Sequence, residues 1–280
     1  MTSSTAGAAA RTRDGVTAAV SVSDLLSARW DAVGEAGLTK VWLPAGFEVT
    51  YAGPDGREVR AGLDRLCRAD LESCQPARSF PSYQGQRNYP GWYWSATMGR
   101  LVGFESWAER SHLVALDFDP AVIAIVSQPF WLHWRTPAGK ARRHPPDFFA
   151  RLADGRGLVI DSQPEGVADD GDREAFAATA RSCELLGWEY AVCGEMDPVT
   201  AANHRWIAGY RHPRCGDPAT EARLLDAFGS GLPLMEGAEA AGDPLATLPP
   251  LFHLMWRREL LADLSLVLGH RTVVWQAGRG

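Results

Sequence analysis

The stretch from His144 to Pro164, HPPDFFARLADGRGLVIDSQP, limits what this chain can fold into more than any other. Its apolar runs flank Asp154-Gly155, a dipeptide suited to a tight turn between antiparallel strands. The pattern predicts a strand from about Pro146 to Leu152 and a return strand from Leu158 to Gln163. With the turn centred there, positions summing to about 309 face each other, which sets Asp147 against Asp161 or its immediate neighbour. Opposed residues hold their Cβ atoms ~5 Å apart on one face of the sheet. Two carboxylates that close cannot both ionise comfortably without a cation between them. A hard divalent ion, Mg²⁺ or Mn²⁺, suits such oxygen donors. Gln163 projects from the same face of its strand as Asp161. On spacing alone, a second reading stays open, in which Asp147 ends a strand after Pro145-Pro146 and Asp161 is an incidental acid.

A third acid, Glu109, has two candidate roles. Ser106-x-x-Glu109 has the spacing of a helix capping box, in which Glu109 returns a hydrogen bond to the helix start. The same position lets it serve as a ligand beside Asp147 and Asp161. Glu105 suits the positive end of that helix's dipole.

Along the chain, residues 1 to 20 are rich in Ala, Thr and Ser without periodicity and read as a disordered leader. Residues 21 to 100 form an N-terminal extension, with a β-hairpin around Gly53-Pro54-Asp55-Gly56. That extension ends in an aromatic segment, where Tyr83, Tyr89, Trp92, Tyr93 and Trp94 surround Gln86 and Arg87. Residues 101 to 212 form the core. They predict a helix over Ser106 to Leu116, strands over Val122 to Val126 and Phe130 to Trp134, the acid-bearing hairpin, a helix over Asp172 to Leu186 stopped by Gly187, and a strand over Trp188 to Cys193. Pro213 to Pro218 reads as a linker, and residues 213 to 280 as a small C-terminal domain of short helices with a closing strand near Thr272 to Trp275. The order of elements is that of an α/β or α+β protein.

The net charge of −6 gives no global signal for nucleic acid. Locally, Arg135 to Arg156 holds six Lys and Arg residues against two acids, and Asp161 to Asp197 holds ten acids against two arginines. A phosphate-binding surface beside a metal-binding one fits that alternation, and so do ordinary solvated faces. Five cysteines without a CxxC pair argue against a disulfide framework or a structural zinc site. With no long apolar run and no secretory signal, the expected setting is the cytoplasm.

Together, YQGQRNYPGWYWSAT with FESWAER, then LDFDPAVIAIVSQPFWLHW, then RRHPPDFFARLADGRGLVIDSQP, resemble the TnsA-like heteromeric transposase endonucleases, the actinobacterial branch in particular. YRHPRC and LPPLFHLMWRRELLADLS extend the similarity toward the C-terminus, so that it covers most of the chain from about Ser79. The resemblance implies a restriction-endonuclease-like mixed sheet flanked by helices, of the PD-(D/E)xK nuclease type, followed by a winged-helix-like domain. It implies a metal-dependent subunit that cuts one strand of double-stranded DNA at transposon ends. It also implies two partners, a DDE-type transposase that handles the other strand and an AAA+ ATPase regulator. Position by position, Glu109 matches the helical acid, Asp147 the acid of the PD pair and Asp161 the acid of the second strand. Gln163 stands where that pattern places a basic residue, so the same resemblance admits a weakened nuclease that acts as a DNA-binding scaffold. Lys140, Arg142, Arg143 and His144 are the residues expected to grip DNA phosphates, unless their cluster is only a solvated turn.

Overall fold

The computed structural model describes residues 29–30, 46–80, 89–163 and 168–278, with the side chains of Arg29 and Trp30 excepted. The expected leader, and Tyr83, Gln86 and Arg87 of the aromatic segment, lie outside the described residues.

The strands are β1 (Arg29–Trp30), β2 (Glu48–Ala52), β3 (Glu58–Gly62), β4 (Gly91–Ser95), β5 (Arg100–Phe104), β6 (Val122–Ser127), β7 (Trp131–Arg135), β8 (Ala141–His144), β9 (Phe148–Leu152), β10 (Gly157–Ser162), β11 (Glu189–Cys193), β12 (Leu232–Pro233), β13 (Leu260–Leu261) and β14 (Val273–Gln276). The helices are α1 (Leu63–Leu66), α2 (Trp107–Phe118), α3 (Asp170–Leu186), α4 (Pro198–Ala208), α5 (Pro218–Ala227), α6 (Leu234–Ala241) and α7 (Pro244–Trp256). The protein is a mixed α+β structure, with one mixed sheet and three antiparallel ones among the described residues.

The mixed sheet has the order β1-β11-β10-β9-β6. β10 and β11 run parallel, joined by the crossover helix α3, and the other pairs are antiparallel. Alternation along the strands separates two cores. Phe148, Ala150, Leu158, Ile160 and Ala191 pack with Leu113 and Leu116 of α2. Phe149, Val159, Tyr190 and Val192 pack with Phe176 and Cys183 of α3. The long hairpin β9–β10 is buried on both faces, so its apolar run continues where a half-solvated strand would alternate.

Local signals explain most boundaries. Ser106 caps α2 by accepting from Glu109 N at 3.1 Å. α3 starts two residues earlier than its apolar pattern predicts, because Asp169 and Asp172 form a reciprocal capping box. It ends at Gly187 in the left-handed conformation (φ 68°) that glycine adopts without strain.

Several elements were not legible in the pattern, β1, α1, β12 and β13 among them. β4 and β5 form a hairpin inside and just after the aromatic segment. β8 pairs with β7 in a second sheet of order β3-β2-β7-β8, so the basic run Ala141–His144 is a strand. α4 was not expected at all.

The expected linker at Pro213 to Pro218 holds a 3-10 turn, Pro213–Cys215, and the capped start of α5. One apolar core runs from Tyr93 and Leu116 through Ile207 to Leu224, Leu254 and Val274, so residues on both sides of that point share an interior.

Candidate active site

The acids meet where β9 begins and β10 ends. The ladder pairs Gly157 with Arg151 and, at its last step, Ile160 with Phe148. One further step would set Asp147 against Asp161, the pairing expected from the turn. Asp147 lies just before β9, and its Oδ2 accepts from the backbone N of Ser162 at 2.7 Å.

Asp161 points to the α3 side of the sheet, the side of Val159 and Tyr190. It is buried (3 % exposed), and both of its oxygens are engaged. Oδ1 is 2.9 Å from Nε2 of His144, and Oδ2 accepts from the Tyr190 hydroxyl at 2.6 Å. Gln163, on the same face, donates its backbone N to Cys193 O at 2.9 Å. Its side chain makes no hydrogen bond to the described residues.

Glu109 reaches the cluster from the first turn of α2. Half of the capping-box reading holds, since Ser106 receives the Glu109 N–H. The Glu109 carboxylate accepts instead from Glu105 N at 2.7 Å, one residue before the cap. Glu105 is itself tied to Arg78 at 2.5 Å.

The electrostatics bind these groups into one site. Burial pushes the Asp147 carboxyl well above the usual carboxylate range, and the nearby charges of Glu109 and then Asp161 push it further. Glu109 is also pushed up, chiefly by burial. Burial opposes a charge on His144, but Asp161 outweighs it and the imidazole pKa rises. His112, one turn after Glu109 on α2, is held neutral by burial with a pKa of about 4. Its Nε2 donates to Gly194 O and its Nδ1 accepts from Ser162 Oγ, each at 2.8 Å. The Ser162 hydroxyl therefore steadies α2 while the Ser162 N–H holds Asp147.

The expected phosphate contacts divide. His144 turns inward to Asp161, with its side chain 20 % exposed. Arg142 lies 3.7 Å from Glu174 of α3, and Arg143 stacks 4.2 Å from the Trp131 ring centre. Lys140 is exposed in the β7–β8 turn, its N–H donating to Thr136 Oγ1 at 3.2 Å.

Sequence reasoning missed four members of this neighbourhood. Arg78 supplies a cation beside Glu105 and Glu109, from a stretch with no motif. Tyr190 aligns Asp161 from β11, and only the parallel register reveals it. Gln128 adopts a left-handed backbone (φ 48°), which costs on the order of 1–3 kcal/mol for a non-glycine residue. Its N–H donates to Asp147 O at 2.7 Å while its own carbonyl accepts from Ala77 N at 2.8 Å. The Gln128 side-chain amide is buried with neither atom paired, as is the neighbouring Ser127 hydroxyl. The Gln128-Pro129 dipeptide was the available signal, and it read only as a break between strands.

The donors suit a hard cation in kind, being carboxylate oxygens, with Arg78 and His144 offsetting part of their charge. They fall short in number: among the described residues no three His, Cys, Asp or Glu side chains converge as a ligand group. Both oxygens of Asp161 are engaged by His144 and Tyr190.

No protein-family model and no curated protein matches the chain. No helix among the described residues is long and apolar enough to cross a membrane.

Proposed function

We propose that this chain is a metal-dependent DNA endonuclease subunit of a heteromeric transposase, cutting one strand at transposon ends. The observation that carries this reading is Asp147, a carboxyl pushed strongly toward its protonated form by burial and by Glu109 and Asp161 at the end of the β9–β10 hairpin. Structural acids are normally saturated with donors. This one has a single donor to its carboxylate among the described residues, and acidic neighbours, as a cation-binding acid would.

The wider architecture agrees with a restriction-endonuclease-like core, in which α2 and α3 cover opposite faces of a mixed sheet. α5 to α7 with the three-stranded sheet β12-β14-β13 have the makeup of a winged-helix-like domain.

In this reading Glu109, Asp147 and Asp161 are the residues that would hold Mg²⁺ or Mn²⁺, and Asp161 is at present bonded to His144 and Tyr190. The ion, once bound, supplies an activated water and charge compensation for the departing oxygen. Asp147 and Glu109 contribute negative charge from two elements that His112 and Ser162 lock together. Arg78 offsets part of that charge. The partners are double-stranded DNA, a DDE-type transposase and an AAA+ regulator, and the setting is the cytoplasm.

A second reading has its own observation. Asp161 is tied up and Gln163 brings no charge, which suits a nuclease-fold scaffold that binds DNA without cutting it. Nicking of supercoiled plasmid in Mg²⁺ or Mn²⁺, with the partner transposase present, separates the two. The endonuclease reading expects cleavage that falls by about 10²–10³-fold or more in Asp147→Ala. Wild-type protein that leaves the plasmid intact under both ions would support the scaffold instead. Gain of cutting in Gln163→Lys would identify an intact but under-charged site.

A further inference from the structure

α2 and α4 pack against each other beside the acid cluster, and their outer surface is unlike the rest of the molecule. Between Asp197 and Asp217 the chain has no acidic residue, while it carries Arg205, Arg211 and Arg214. Arg205 is exposed at the end of α4, and Arg110 follows Glu109 on α2. Large aromatic rings sit among these arginines. Trp107 and Trp206 are 57 % and 55 % exposed, and Tyr89 (64 %) lies 6.1 Å from Trp107. Exposed tryptophans on helices that are otherwise well packed are costly in water; Trp107 here carries the Arg110 guanidinium over its ring, and Trp206 packs beside Tyr210 and Phe252.

The arginines are also held in place. Arg110 lies 5.4 Å from the centre of the Trp107 ring. Arg211 lies 4.2 Å from that of Tyr93, and its Nε donates to Trp94 O at 2.6 Å. Such stacking keeps the charge while fixing the fork. None of Arg110, Arg205 and Arg211 has an acidic partner among the described residues, whereas Arg57, Arg60, Arg78, Arg142, Arg151 and Arg156 all do. Burial and the neighbouring charges of Arg205 and Arg211 push the Arg110 guanidinium below its ordinary range. Three cations brought together without counter-charge are a standing electrostatic cost, relieved when an anion arrives.

We infer that the Arg110–Arg205–Arg211 cluster, with Trp107 and Trp206, is a binding surface for the phosphodiester backbone of DNA. It rests on the endonuclease reading and adds a location to it: the strand approaches across α2 and α4, and Glu109 stands one residue inward from Arg110. The β7–β8 hairpin, where sequence alone placed the phosphate contacts, spends Arg142 on Glu174, Arg143 on Trp131 and His144 on Asp161. Lys140, at the turn of that hairpin, is exposed, so hairpin variants serve as the comparison for the surface of α2 and α4.

Fluorescence anisotropy with a labelled duplex of arbitrary sequence, over a salt series, tests this directly. Each arginine that neutralises a phosphate contributes about 0.9 to the slope of log K against log salt. Arg205→Gln and Arg110→Gln should each lower that slope by about one and weaken binding several-fold at low salt, with additive losses in the double variant. Trp206→Ala should weaken binding with the slope unchanged. Arg205 and Trp206 are exposed, so thermal melting that matches the wild type controls for folding.

An unchanged slope in the double variant overturns the inference, as does a loss confined to Lys140→Gln and Arg142→Gln in the hairpin. So does a double variant that loses a partner protein while keeping DNA. Cutting and binding can fail separately. DNA held through this surface but never nicked sinks the endonuclease reading alone, and nicking indifferent to these arginines sinks the surface alone.

Discussion

Two aspartates, thirty residues apart, show how differently this fold treats the same side chain: Asp117 is buried and Asp147 only partly so. Asp117, at the end of α2, receives four hydrogen bonds: from the Tyr93 hydroxyl at 2.8 Å, Ser95 Oγ at 2.5 Å, Ala96 N at 2.9 Å and Thr97 N at 2.8 Å. It staples the β4–β5 hairpin to the helix, and its charge is dispersed over those donors. Asp147 receives one such bond, from Ser162 N, and faces two further acids. The first aspartate is satisfied by the protein alone. The second is left in deficit, and so are the buried Gln128 amide and Ser127 hydroxyl beside it. The left-handed Gln128 backbone lies beside that deficit, and its N–H donates to the Asp147 carbonyl.

The contrast can be broken at its stable end first. Asp117→Ala would orphan four donors at once and should cost on the order of 3–5 kcal/mol, read as a lower midpoint in urea unfolding. A change below 1 kcal/mol would show that the staple contributes little and that the comparison fails. Such a loss needs no change in DNA binding per folded molecule.

Acid sharpens the comparison through groups that the fold keeps neutral. Burial lowers His112 to about 4, and His204 also to about 4, while an unfolded histidine titrates near 6.5. Between those values the unfolded chain binds more protons than the folded one, so stability is full above about pH 6.5 and drains as pH falls toward 4. Each histidine contributes on the order of 3 kcal/mol to that loss. His112→Gln should flatten the curve between pH 6.5 and 4, and a slope equal to that of the wild type would remove His112 from the account.

The smallest effect is the most telling. A carboxyl whose pKa is raised in the folded state destabilises the protein once it ionises, so its contribution is lost as pH rises. Asp147→Asn keeps an acceptor for Ser162 N and deletes the repulsion. It should therefore stabilise the protein by about 1 kcal/mol at pH 7 while removing any nicking activity. A destabilised Asp147→Asn would place Asp147 with Asp117, as a structural acid.

Much of the frame was legible from residues. The turn at Asp154-Gly155 and the apolar runs around it gave the β9–β10 hairpin, and their spacing put Asp147 and Asp161 one step beyond its last pair, Phe148 and Ile160. Ser106 and Gly187 marked helix ends that the structure keeps. The aromatic segment hid β4 and β5, because tyrosine and tryptophan punctuated by glycine give no clean alternation. The basic run of β8 concealed a strand for a related reason: on an edge of its sheet Arg142 and Arg143 are both exposed, so no apolar period forms.

Sequence by itself determined which acids could approach one another, because hairpin register depends on chain-local turn geometry and the two-residue period of a strand. Tertiary structure decided what those acids meet. Tyr190 arrives through a parallel crossover, and Arg78 and Gln128 through loops. Arg110, Arg205 and Arg211 become a cluster only because α2 packs on α4. Electrostatic energy depends on distance in space, and distance in sequence carries almost none of it beyond one turn or one hairpin.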